Sequence, residues 1–187
     1  SLSLIIAVFV GTGLISKEVE KRTILMLIAK PVSRNEFVIG KYLGLLTVLA
    51  LLVTAMSVIY TLFLEVNNIS YSAKSIAINA IFLILQLSLI SAVAIAFGVF
   101  TGSILATVLT FAACLMGNIT QDLLELARIS KNPGLEKITQ GLYIVLPDLS
   151  RLDLKNEAVY GLSALPDTTT LIANAGYSLF YSAMLLA

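Results

Sequence analysis

The sequence predicts an all-α protein, a polytopic bundle of transmembrane helices. Of its 187 residues, 58% are hydrophobic and only 12% are charged, whereas soluble domains carry about 25% charged residues. Mean hydropathy is +0.97. Long stretches contain no charged residue, and basic residues collect in one short stretch between two of them. A water-soluble fold of this size could not bury so much apolar surface, so lipid is the predicted solvent.

Apolar segments predict five membrane spans. The run 75–121 holds 47 residues without a charge, about 70 Å as a helix, which corresponds to two crossings. Thr101-Gly102-Ser103 is the predicted turn between them. The first segment is only about 21 Å long, so we expect that part of this span precedes Ser1. The predicted spans are residues 2–15, 42–64, 76–100, 104–121 and 168–187 of a single transmembrane domain, 1–187.

The distribution of basic residues predicts the orientation. Residues 17–41 hold six of the twelve Lys and Arg residues, and short basic loops stay on the cytoplasmic side. Loop 16–41 is therefore predicted inside and segment 122–167 outside, in a multi-pass protein of the cytoplasmic (inner) membrane. The outer segment carries five basic and seven acidic residues over 46 positions. It is therefore less basic than loop 16–41 and does not favour the opposite orientation. Between Leu135 and Leu146 it has the apolar spacing of an amphipathic helix at the outer interface.

The cytoplasmic loop contains a stop signal and a start signal for helices. Pro31 prevents an upstream helix from continuing. Ser33 and Glu36 form an S-x-x-E capping box, in which each side chain accepts from the backbone N–H of the other residue. A second helix is therefore predicted to begin at Arg34 and to run into the span 42–64.

The sequence contains none of the common catalytic motifs. It lacks histidine, and it contains no GxxxxGK[ST], HExxH, GxSxG or CxxC motif. Cys114 is the one cysteine, and its apolar surroundings predict a packed thiol. The sequence does not contain the basic stripe with interleaved aromatic residues that would indicate a nucleic-acid surface. Acidic residues fall in loops and at span ends, which disfavours an ion-coupled carrier. We expect no enzyme activity, metal or cofactor in this chain, and close helix packing at Gly98, Gly102 and Gly117.

From the residues alone, the basic loop is either a topology signal or a docking element for a cytoplasmic partner. Its pattern resembles the first cytoplasmic loop of type-2 permeases of ABC transporters, in which an E-x-E-x-G-T start, an apolar stretch, P-x-S-R and G-K follow one another. Arg22 stands where the family commonly has Gly. The stretch LPDLSRLDLK (146–155) is similar to a branch linked to multicopper-enzyme maturation. The matching positions are Glu18, Glu20, Thr23, Leu25 to Ala29, Pro31, Ser33, Arg34, Gly40 and Lys41.

The resemblance implies a permease subunit, not itself an enzyme, that docks an ABC ATPase subunit through a coupling helix in this loop. Two permease copies and two ATPases would export a substrate or transmit force across the lipid bilayer. A non-transporting membrane anchor or scaffold is the alternative function, and the alternative role of Leu25–Ile28 is to rest on the bilayer interface. The implied docking residues are Glu18, Glu20, Arg22, Thr23, Leu25, Leu27, Ile28, Pro31, Ser33, Arg34 and Lys41.

Overall fold

The computed structural model describes residues 34–69, 71–130, 147–154 and 166–186. These residues form helices and contain no strand, which confirms the predicted all-α class. The predicted span 2–15 and the loop up to residue 33 lie outside the described residues. The elements are α1 (Arg34–Val66), α2 (Ala73–Phe100), α3 (Ser103–Ser130), a 3-10 turn (Ser150–Leu152) and α4 (Thr168–Leu186).

Two of these helices, α1 and α2, are long and apolar enough to cross a bilayer. In α3 the apolar stretch is shorter and covers Ile104–Asn118. Because lipid offers no hydrogen bonds to the backbone, helices that satisfy their own backbone groups are the expected solution for such segments.

Helix α2 is the centre of the described bundle, since α1, α3 and α4 all pack against it. Every residue from Gln86 to Ile95 is buried, so the helix is enclosed around its circumference at this depth. Helix α1 buries only one face, through residues such as Leu45, Leu49 and Val53, and exposes large apolar side chains elsewhere. This pattern suits a central helix with lipid-facing neighbours.

Helix α1 begins at Arg34, the position that the S-x-x-E motif predicts. Its other end is a Schellman motif: the N–H of Ile69 donates to the carbonyl oxygen of Leu64 (3.1 Å), and the N–H of Asn68 to that of Glu65 (3.0 Å). Asn68 has a φ of 52°, a left-handed conformation that Asn tolerates well. In the following turn, the hydroxyl of Tyr71 donates to Glu65 Oε1 at 3.0 Å, and this bond raises the pKa of Tyr71.

The predicted turn at residues 101–103 is where α2 ends and α3 begins. Thr101 closes α2, since its hydroxyl and its N–H both donate to the carbonyl oxygen of Phe97, at 2.7 and 2.9 Å. Helix α3 continues to Ser130, past the span end expected at Gln121. The sequence gives the reason, because no Gly or Pro follows Gly117 until Pro133.

Candidate functional site

Most of the predicted docking residues lie outside the described residues: Glu18, Glu20, Arg22, Thr23, Leu25, Leu27, Ile28, Pro31 and Ser33. Arg34 is the first residue of α1. Lys41 lies two turns further on and is partly buried, with its Nζ 4.6 Å from the centre of the Phe37 ring. This cation–π contact holds Lys41 along its own helix. The docking role of these residues stays a prediction.

Directly after Lys41, α1 is tied to the bundle by a polar contact. The hydroxyl of Tyr42 hydrogen-bonds the hydroxyl of Ser88 on α2, and both residues are buried. Around this bond Tyr42 packs in an apolar cluster with Ala92 and Ile95 of α2. The helix that emerges from the basic loop is therefore attached to the central helix close to its own start.

A second polar region lies at nearly the same level of α2, where residues 147–154 (the inserted segment) sit against α2, α3 and α4. The N–H of Leu149 donates to the carbonyl oxygen of Gly117 at 3.2 Å, and Nε2 of Gln86 donates to the carbonyl oxygen of Leu149 at 3.4 Å. Gln86 is thirteen residues into α2, about 20 Å from its start. Gly117 is likewise near the middle of α3. The segment thus reaches the middle of both helices.

The close approach to α3 depends on Gly117. A Cβ at this position would lie 2.6 Å from the carbonyl oxygen of Pro147 and 3.1 Å from Cγ of Leu149. The expected role of Gly117 in close packing is correct, but its neighbour is the inserted segment and not another helix. Gly102, for which helix packing was also expected, has nothing within 4 Å of such a Cβ.

Charged and polar side chains hold the first half of the inserted segment. The carboxylate of Asp148, 2% exposed, accepts from the hydroxyl of Ser150 (2.5 Å) and pairs with Nε of Arg151 (2.9 Å). The N–H of Asp148 donates to the hydroxyl of Tyr177 at 3.1 Å. The Arg151 guanidinium lies 5.6 Å from the centre of the Tyr177 ring. Nδ2 of Asn174 donates to the carbonyl oxygen of Arg151 at 3.2 Å.

Apolar side chains hold the same segment from the other side. Leu149, Leu152 and Leu154 are buried and belong to the main apolar cluster, which includes Leu89 and Val93 of α2. Irregular backbone at membrane depth is stable only where protein covers it or where it lines a water-filled cavity. The side-chain hydrogen bonds and these leucines meet the first condition.

The family of the chain is shown by its sequence. The model of the ABC-2 family transporter proteins matches residues 2–186. The chain belongs to the ABC-2 transporter family. The comparisons with curated proteins and with solved structures give no match. ABC-2 family membership makes the chain a transmembrane permease component and implies association with a membrane and with an ABC ATPase. The multicopper-related branch stays a prediction.

The inserted segment of this ABC-2 protein changes one premise of the sequence analysis. The spans themselves carry no charge at their centres, but the segment brings Asp148 and Arg151 to the middle of the bundle. The absence of charge at the span centres is therefore no longer an argument against an ion-coupled carrier. The permease assignment depends on the family match instead. The sequence does contain a signal: Asp and Arg three residues apart, among leucines at 149, 152 and 154. The segment is too short for this pattern to predict that it enters the bundle.

Proposed function

We propose that this chain is the permease subunit of an ABC exporter in the cytoplasmic membrane. It couples ATP hydrolysis in a separate ATPase subunit to the movement of a substrate, or of force, across the bilayer. The ABC-2 family match over residues 2–186 carries this proposal. The basic loop before α1 is the coupling element, and it docks the ATPase through the residues between Glu18 and Lys41 named above.

The geometry of α1 supports this coupling. The helix runs unbroken from Arg34 to Val66, 33 residues, or about 50 Å. A displacement at its cytoplasmic end is therefore carried across the bilayer and not absorbed in a flexible joint. The buried Tyr42–Ser88 contact passes the displacement on to α2, and α2 contacts α3 and α4.

A second copy of the permease completes the proposed transporter. Large apolar side chains are exposed on α1, α3 and α4, among them Leu51, Phe111 and Phe180. Lipid and a second copy are the two kinds of neighbour that suit such surfaces. The charge-free centres of the spans and the polar inserted segment also suit an amphipathic cargo.

The test is the ATPase rate of the partner subunit, reconstituted in proteoliposomes with the full-length permease. The variant Glu18→Lys with Arg34→Glu reverses two charges of the loop. It is expected to abolish binding of the ATPase or to uncouple hydrolysis from transport. Lys74→Glu is the matched control, because Lys74 is an exposed charge at the opposite end of the bundle, and it is expected to leave the rate unchanged.

Two outcomes contradict the proposal. If the double reversal leaves binding and hydrolysis as in the unmodified protein, the loop is a topology signal only. If the ATPase binds through the loop but no substrate stimulates hydrolysis, the chain is a membrane anchor that docks a cytoplasmic protein.

A further inference from the structure

We propose that one exposed face of α1 (the open face) is the docking surface for the predicted span 2–15 of the same chain. Span and helix then form an antiparallel hairpin whose connection is the basic loop. This contact lies within the membrane and depends neither on the ATPase partner nor on the cargo. The open face consists of Gly40, Gly44, Thr47, Leu51, Thr54 and Val58.

The residues of the open face follow one another at alternating intervals of four and three, the spacing at which one helix packs along another. All six are exposed. Thr47 and Leu51 each lie two residues from the buried Leu49, or about 200° around the helix. Leu49 belongs to the main apolar cluster together with residues of α2. The open face is therefore turned away from α2, and α1 has room for a helix on each side.

The open face differs in side-chain size from the neighbouring side of α1. On that side Val48, Met56, Ile59 and Phe63 are between 59% and 63% exposed. Large apolar side chains suit contact with lipid, whereas Gly and Thr are enriched where two membrane helices approach closely. The exposed surface of α1 thus divides into a lipid-facing side and a side suited to another helix.

The polar groups of the open face need no partner from another helix. The hydroxyl of Thr47 donates to the carbonyl oxygen of Leu43 at 2.8 Å, and that of Thr54 to the carbonyl oxygen of Ala50 at 2.7 Å. Both threonines can therefore offer their methyl groups to an apolar neighbour. A Cβ added at Gly44 would have no heavy atom of the described residues within 4 Å. The face can accept an apolar helix at short distance.

The predicted span 2–15 is the neighbour that the chain itself provides. Residues 16–33 connect it to the start of α1, and consecutive elements usually lie next to each other. The central helix α2 is enclosed at mid-depth, since every residue from Gln86 to Ile95 is buried. On α1, in contrast, the open face is exposed along six successive positions.

The span has a side of small residues that matches the open face in depth. Ala7 lies eight residues before Ile15, the predicted cytoplasmic end of the span, and Leu51 lies nine residues into the span 42–64. Both are about 12–14 Å from the cytoplasmic boundary, so a small residue meets the largest side chain of the open face. Residues four apart share one side of a helix, and the small ones here are Ser3, Ala7 and Gly11.

The hairpin adds a mechanical property to the coupling loop, and this consequence rests on the proposed function. The loop is held at both ends by one packed pair of helices. A displacement of the loop therefore moves the span 2–15 and α1 together, and not α1 alone.

The test is disulfide crosslinking in native membranes, with the full-length protein carrying Cys114→Ala and a mild oxidant. Ala7→Cys is combined with a single second cysteine on the open face. Trypsin cleaves at the Lys and Arg residues of the basic loop, so the bond is detected by mass spectrometry as two linked peptides. The second cysteine is placed in turn at Thr47, Leu51 and Thr54.

Val48→Cys and Met56→Cys, each with Ala7→Cys, are the matched controls. Val48 is next to Thr47 but about 100° away around the helix, and Met56 is two residues from Thr54 and about 200° away. A disulfide requires Cα atoms within about 7 Å, so the best open-face pair is expected to crosslink at least about tenfold faster than either control. Equal rates on both sides of α1, or no crosslink from any open-face position, overturn the proposal.

Leu51→Cys alone tests a second copy of the chain as the occupant. A disulfide between two chains is seen as a dimer on a non-reducing gel. A dimer that forms as fast as the bond to Ala7→Cys overturns the proposal, because the open face would then be an interface between permease copies.

Gly44→Leu, added to the Ala7→Cys, Leu51→Cys protein, fills the open face. It is expected to slow crosslinking about tenfold, as for an overpacked contact. Gly176→Leu in α4 is the matched control, since a Cβ there also has no described heavy atom within 4 Å, and it should leave the rate unchanged. Leu favours helix more than Gly, so neither change interrupts its helix. An unchanged rate with Gly44→Leu overturns the proposal. These assays need no ATPase, so failure of the hairpin is distinguishable from failure of the coupling loop.

Discussion

The hydroxyl of Tyr177 accepts a hydrogen bond from the backbone N–H of Asp148 at 3.1 Å, and the centre of the Tyr177 ring lies 5.6 Å from Cζ of Arg151. One side chain of α4 thus satisfies a backbone donor and contacts a cation in a segment that has no regular helix of its own. A buried N–H without a partner is costly, so Tyr177 is one reason why irregular backbone is stable at this depth.

Replacement of Gly117 by Ala is expected to destabilise the protein by about 1–3 kcal/mol, the range for an overpacked site. The added Cβ would stand 2.6 Å from the Pro147 carbonyl oxygen. Gly176→Ala in α4 is the control, since that position is open, and there Ala is expected to add up to about 1 kcal/mol of helix stability. Thermal unfolding in detergent measures both, and equal melting temperatures for the two variants would contradict the close approach.

The Tyr42–Ser88 contact is expected to show coupling in a double-mutant cycle. Tyr42→Phe and Ser88→Ala each remove one partner of a buried bond between α1 and α2. The interaction free energy should be about 0.5–1.5 kcal/mol, because the second substitution costs little once the first partner is gone. Additive changes in unfolding free energy would mean that the two hydroxyls act independently.

Arg151→Ala is expected to destabilise the protein more than Asp148→Asn. The Asp148 carboxylate is almost fully buried, at 2% exposure, whereas the Arg151 side chain is 39% exposed. Removing the guanidinium leaves a buried charge without its cation, which is strongly unfavourable. The amide of Asn is neutral and still accepts from Ser150, and Arg151 stays partly hydrated. Melting temperatures in the opposite order would show that the Asp148 carboxylate is stabilised mainly by contacts other than the one with Arg151.

The predicted orientation places the α1–α2 turn outside and the α2–α3 turn inside. In the Cys114→Ala protein, Val66→Cys and Gly102→Cys put single thiols at exposed positions in these two turns. An impermeant maleimide added to right-side-out vesicles should label Val66→Cys and should reach Gly102→Cys after the vesicles are opened. The reverse result would invert the topology, and with it the cytoplasmic position of the basic loop.

Local signals allowed part of the fold to be predicted. A capping box marks the start of α1 at Arg34, and a Thr-Gly-Ser stretch in a charge-free run marks the break between α2 and α3. Both depend on residues within one helical turn of the boundary. The predicted span ends at Gln121, where the apolar composition ends, and the helix α3 itself continues to Ser130. No Gly or Pro interrupts the backbone between Gly117 and Pro133.

The inserted segment could not be predicted for a different reason. Its position depends on partners distant in sequence: Gly117 for Leu149, Gln86 for the same residue and Tyr177 for Asp148. An eight-residue stretch of alternating polarity does not indicate which helices it will contact. The docking residues of the basic loop stay predictions, since their basis is a motif resemblance.

The buried polar groups of α2 have a consequence for the order of assembly in the cell. The Gln86 amide bonds the carbonyl oxygen of Leu149, 63 residues later in the chain, and the carbonyl oxygen of Leu85 accepts from Ser178, 93 residues later. When α2 emerges from the ribosome, neither partner has been synthesised. The α1–α2 hairpin therefore enters the bilayer before these two partners exist, and α2 reaches its final environment only when α4 has been translated.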